Sequence, residues 1–186
     1  MTHPKKRIVL LNSFRPEKDS LIQYKVRGKN NNNKPHYFLN KKGEITELLK
    51  GDEVSEYFIN PNYKTDIVIC MENLGWFEKI NGNGKFLNAL GIFVENQTPF
   101  EKKWRDYFYW DIYPIEQINS LIYNLNLITQ KMGIKKNFIG HNTKSIQVDN
   151  FNGIVSRSNF NELYTDISPS FPFFDFNKNL NLTEEK

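Results

Sequence analysis

Two stretches with unbroken apolar interiors restrict this chain more than anything else in it. Arg7–Asn12 reads RIVLLN and Thr65–Glu72 reads TDIVICME. Each has strand length, and neither alternates apolar with polar. Strands of this kind are covered on both faces, as in the middle of a largely parallel sheet. Such a sheet needs helices packed against it, so the expected class is α/β with a mixed central β-sheet and flanking helices. The clearest helix is predicted over Pro114–Met132. Ile115, Ile118, Leu121, Ile122, Leu125, Ile128 and Met132 recur at steps of three and four there, forming one buried stripe. Pro114 suits its start and Gly133 its stop.

Around these elements the signals are shorter. His36–Asn40 and Glu44–Leu49 flank Lys41-Lys42-Gly43 and predict a hairpin. A short helix is expected near Leu21-Ile22. GIFVE, within Phe86–Glu95, predicts a returning strand, and Ile134–Ile139 predicts a strand leading to Gly140 and His141. Asn152-Gly153 reads as a turn, and GIVSRSNF around Ser156 and Arg157 as a loop. Phe100–Tyr113 is dense in rings and predicts either a lid over the core or an exposed platform for a sugar or a protein. From Asp175 onward the chain turns polar and is expected to fray.

Composition excludes several functions. At 186 residues one domain is expected, over 1–176, with a polar tail at 177–186. Hydrophobic residues are 39% and aromatics 15%, so rings must fill much of the core. A net charge of +4, spread as single residues and pairs, does not predict a nucleic-acid partner. A lone cysteine, Cys70, excludes an intramolecular disulfide and Cys-x-x-Cys metal sites, and reads as a small buried hydrophobe. No apolar run approaches the ~20 residues of a membrane span, and the N-terminal run is too short for a signal peptide. Cytoplasmic synthesis, without an export signal of its own, is therefore expected.

The late stretch supplies candidate chemistry. His141 at a strand exit, and Asp166 before a Ser-Pro turn in YTDISPSFPF, are residue types that zinc takes. With HYFLNKKGEITELL, TDIVICMENLG and YPIEQINSLIYNLNLITQKMGIKKNFIGHN, they give the chain a resemblance to a known family. It resembles the zinc amidases that cleave N-acetylmuramoyl-L-alanine bonds in peptidoglycan, which share a fold with the peptidoglycan recognition proteins. The resemblance spans most of Arg7–Phe174, with 75–113 and 142–163 as insertions or family-specific loops. It implies a zinc held by two His and one Asp or Cys, with a water in the fourth place. His141 then matches the second ligand and Asp166 the third. Glu72 lies near the place of a general base.

The departures from that pattern set the functional expectation. Leu11 stands where the first His ligand belongs, followed by Asn12. Pro35 replaces a Tyr, and Tyr164 replaces the Lys that helps hold the oxyanion. Two ligands do not usually hold a catalytic zinc. The expectation is therefore a degenerate amidase-like domain that keeps its association with peptidoglycan, with zinc weakened and hydrolysis impaired or lost. Asn12, Trp104 and Arg157 are its candidate substrate contacts. Glu72 and Tyr164 occupy its catalytic positions, and peptidoglycan or muropeptides, with other virion or wall-lysis proteins, are its expected partners. Two alternatives stay open. One is an active zinc amidase with a relocated ligand such as His36 or His3. The other is a protein-interaction module built on the aromatic segment 100–113.

Overall fold

The computed structural model describes residues 3–29, 31–80, 84–94, 98–140 and 142–180, and the backbone of 183–184. The two apolar runs lie side by side at its centre. β1 (Arg7–Asn12) pairs in parallel with β4 (Asp66–Met71) along its full length, from Arg7 opposite Asp66 to Asn12 opposite Met71. β2 (Tyr37–Leu39) runs parallel on the far side of β4, and β3 (Ile45–Glu47) closes that edge as an antiparallel hairpin. On the other flank of β1 lies β11 (Gly153–Ser156), then β10 (Asn137–Phe138), then β12 (Thr183–Glu184). The sheet is mixed and, among the described residues, has seven strands in the order β12-β10-β11-β1-β4-β2-β3.

Side-chain alternation sorts the central strands into two cores. Ile8, Leu10, Ile67 and Ile69 face α2 (Ile115–Met132) and α3 (Phe173–Leu180). Val9, Leu11, Val68 and Cys70 face the opposite layer, where Tyr24 of α1 (Glu17–Arg27) packs with Phe58 and Phe151. Burial on both faces explains why these strands lack polar alternation. α2 buries Ile118, Leu121, Leu125 and Ile128 as its spacing predicts, while Ile115 remains exposed. Gly133 ends it in the left-handed conformation, φ 67°, its N–H bonding to the Thr129 carbonyl.

Three local expectations are corrected. The chain does not fray at Asp175: α3 continues to Leu180, and Phe176 and Leu180 are buried against the α2 side of the sheet. The strand after α2 is only Asn137–Phe138. GIVS is no loop but β11, wedged between β10 and β1. Gly153 permits that wedge. At φ 152°, a Cβ there would lie 2.4 Å from the Asn137 carbonyl oxygen. Gly153→Ala is expected to cost about 2 kcal/mol by overpacking, lowering Tm by about 4–8 °C. An unchanged Tm in a thermal melt would show that β10 does not lie this close.

The described residues between Trp76 and Trp110 build a second, antiparallel sheet. Its strands are β5 (Trp76–Lys79), β6 (Phe86–Asn88), β7 (Phe93–Val94), β8 (Phe100–Trp104) and β9 (Tyr107–Trp110), in the order β7-β6-β5-β9-β8. Leu74, Phe77, Phe86 and Val94 form its small core. Asp111, buried, ties it to the main sheet by accepting from the Leu74 N–H at 2.7 Å and from Lys41 Nζ at 2.6 Å. The aromatic segment therefore divides. Trp110 and Tyr113 are buried, while Phe100 and Phe108 face solvent. No helix among the described residues is long and apolar enough to cross a membrane.

Candidate functional site

In sheets with parallel strands, ligands gather beyond the carboxyl ends of the strands. At that end β1 delivers Leu11 and Asn12, β4 delivers Glu72, and β11 delivers Arg157. Asp166 sits among them, wholly buried. Its Oδ2 accepts the Asn12 backbone N–H at 2.9 Å, and its Oδ1 accepts Arg157 Nε at 2.9 Å. Its main-chain carbonyl accepts from the Ser158 N–H at 2.7 Å and from the Ser158 hydroxyl. Both the carboxylate and its backbone are therefore fixed.

Arg157 is the cation of this centre. Its guanidinium lies over the Tyr164 ring at 4.7 Å and the Phe14 ring at 5.7 Å, contacts that favour a planar, weakly hydrated cation. Burial opposes the charge, but the Asp166 carboxylate outweighs it and holds the Arg157 pKa above its ordinary value. Phe14 is set in place by a left-handed backbone, φ 56°, with its N–H on the Asn73 carbonyl. Gly75 leaves room for its ring, since a Cβ there would meet Phe14 at 2.3 Å.

The other candidates have well-defined surroundings. Asn12 Oδ1 accepts the Tyr113 hydroxyl at 2.9 Å, while its Nδ2 is buried with no partner among the described residues. Glu72 accepts the Glu17 N–H and the Lys41 N–H, both at 2.9 Å, and so pins α1 and the β2–β3 turn to the end of β4. Tyr164 offers its ring to Arg157 and its carbonyl to Arg105. Trp104 lies under the Arg105 guanidinium at 4.5 Å, which links the small sheet to the Tyr164–Asp166 loop. His141 lies outside the described residues. The strand before it, β10, is separated from β1 by β11, whose exit carries Arg157. The Arg157–Asp166 pairing was not legible beforehand, because GIVS gave too short a signal to mark Arg157 as a strand exit.

A zinc ion needs three protein donors with free lone pairs, and the described residues, which do not include His141, bring no such set together. No group of three or more His, Cys, Asp or Glu side chains converges among them. Leu11 is buried in the apolar layer. Cys70 beside it accepts the Tyr24 hydroxyl at 3.1 Å, and burial pushes its thiol pKa up to about 12. His36 cannot substitute, since Nδ1 accepts the Val68 N–H and Nε2 lies on the Glu53 carbonyl, both at 3.0 Å. Asp166 already faces a guanidinium.

This architecture, a mixed sheet between helical layers, is the fold of the N-acetylmuramoyl-L-alanine amidases. The chain is similar to the amidase LysC from Clostridium intestinale URNW, with TM-score 0.55 and 16% identity over 97% of this chain and 87% of that one. It is similar to AmiD from E. coli in complex with the substrate anhydro-N-acetylmuramic acid-L-Ala-D-gamma-Glu-L-Lys, with TM-score 0.59 and 16% identity, covering 96% of this chain and 58% of that one. It is also similar to AmpDH3 from Pseudomonas aeruginosa in complex with anhydromuramic pentapeptide, with TM-score 0.60 and 13% identity, covering 96% and 61%. No protein-family model and no curated protein sequence matches the chain.

Proposed function

We propose that the chain binds muramyl peptides of peptidoglycan on an amidase fold whose hydrolytic centre has become an ion pair. The observation that carries this reading is the state of Asp166. Each of its oxygens accepts one hydrogen bond, Oδ1 from the Arg157 guanidinium and Oδ2 from the Asn12 N–H, so the charge facing it is a guanidinium. The apolar Leu11 in the first-ligand position points the same way, since leucine offers no lone pair to a metal. Hydrolysis of an amide on this fold needs a polarised carbonyl and an activated water, and neither Leu11 nor Tyr164 supplies them. The peptidoglycan part of the reading is supported by the fold shared with AmiD and AmpDH3, both held with muramyl peptides.

Three measurements on the purified chain test it together. Metal analysis is expected to find far less than one zinc per chain. Incubation with cell walls is expected to release no muropeptide. Sedimentation with insoluble peptidoglycan is expected to retain the protein. One zinc per chain together with muropeptide release would instead make it an active amidase with a relocated ligand. Failure to sediment with walls would remove the binding function.

A further inference from the structure

We infer that Arg157 is the resident cation of this centre, serving Asp166 in place of a metal, and that its outer edge receives a carboxylate of a muramyl peptide. This rests on the muramyl-peptide reading above. Arg157 uses only Nε on Asp166; its two terminal nitrogens have no hydrogen-bond partner among the described residues. A guanidinium carries five donors in a planar fork that matches two carboxylate oxygens. Its side chain is 21% exposed, whereas the carboxylate it holds is 0% exposed.

The fork is also held still. Asp166 is anchored by the Asn12 N–H on one side and by Ser158 on the other. The rings of Phe14 and Tyr164 lie against the guanidinium. A donor group positioned in advance loses little freedom on binding. Arg105 brings a second guanidinium to the same wall, donating to the Tyr164 carbonyl. The Glu162 carboxylate also acts on Arg105, so the preference for an anion rests on Arg157. A metal-bound centre would attract the same carboxylate by direct coordination and would lose it to a chelator; a guanidinium would not.

Isothermal titration with a muramyl tripeptide, and with the same tripeptide after amidation of its carboxylates, reads the proposal directly. The acid is expected to bind about tenfold or more tightly than the amide, as charge-assisted pairs do, with no change in EDTA. Arg157→Lys keeps the charge but loses the fork, and is expected to lose most of that preference. Arg157→Gln alone strands a buried carboxylate, so the paired variant Arg157→Gln/Asp166→Asn is used, with circular dichroism to verify folding. It is expected to bind acid and amide alike. Equal binding of both ligands by the unmodified chain would overturn the inference and leave the wall-binding reading standing. So would a preference that survives in Arg157→Lys and the paired variant, or one abolished by EDTA. Binding of neither ligand would overturn both.

Discussion

Arg7→Met is expected to remove about 3–5 kcal/mol of stability, the usual consequence of stranding a buried charge. Arg7 is 1% exposed and Asp66 0%. Nε and Nη2 of Arg7 grip the two carboxylate oxygens at 2.9 and 3.0 Å, Nη2 also reaches Asn60 Oδ1 at 2.8 Å, and Nη1 donates to the Val148 carbonyl. The Phe160 ring lies beneath the guanidinium at 4.8 Å. Burial raises the Asp66 pKa, and the hydrogen bonds and charge of Arg7 hold that rise back. Because Arg7 and Asp66 are register partners, the pair locks β1 to β4 at the end away from Asp166. Urea unfolding monitored by tryptophan fluorescence reads the loss. Arg7→Met/Asp66→Leu should recover most of it, because two apolar side chains leave no uncompensated charge. A single variant within about 1 kcal/mol of the parent chain would mean that the carboxylate finds water or a proton there at little cost.

His36 should impose an acid limit on stability. The ring is wholly buried, and its two nitrogens are engaged with the Val68 N–H and the Glu53 carbonyl, which fixes a neutral tautomer protonated on Nε2. Burial holds its pKa down to about 4; the Glu53 carbonyl pulls upward, and the Lys5 charge adds to the lowering. The unfolded chain takes up this proton near pH 6.5, the folded chain only near pH 4. Between those values the unfolded state binds more protons, so stability rises with pH. The contribution is complete above pH 6.5 and is lost as pH falls towards 4, by roughly 3 kcal/mol at 1.36 kcal/mol per unit. Subtracting the pH profile of His36→Gln isolates this ring from the carboxylates. A flat difference between pH 7 and pH 4 would show that the folded ring takes its proton as easily as the unfolded one.

The same histidine shows where reading the sequence stops. HYFLN placed His36 correctly at the head of a strand, and both partners that occupy its ring come from elsewhere, Val68 on β4 and Glu53 in a loop. Glu72 behaves similarly. Its place at the end of the central strand was legible, but the two backbone N–H groups it holds belong to residues 55 and 31 positions away. β11 was missed for a related reason. Gly-Ile-Val-Ser is too short to declare itself, and what makes it a strand is the slot between β10 and β1.

By itself the amino-acid order determined the features set by nearest neighbours along the chain. These are the two doubly covered strands, the stripe of α2 with its glycine stop, and the hairpin around Gly43. Hydrophobic period and turn chemistry act over a few residues and need no partner to be read. Only the tertiary structure decided that Arg157, at the exit of a four-residue strand, meets Asp166, and that Leu11 turns into an apolar layer beside Cys70. Those outcomes depend on which strand lies next to which, and strand order is a long-range choice that no local window contains.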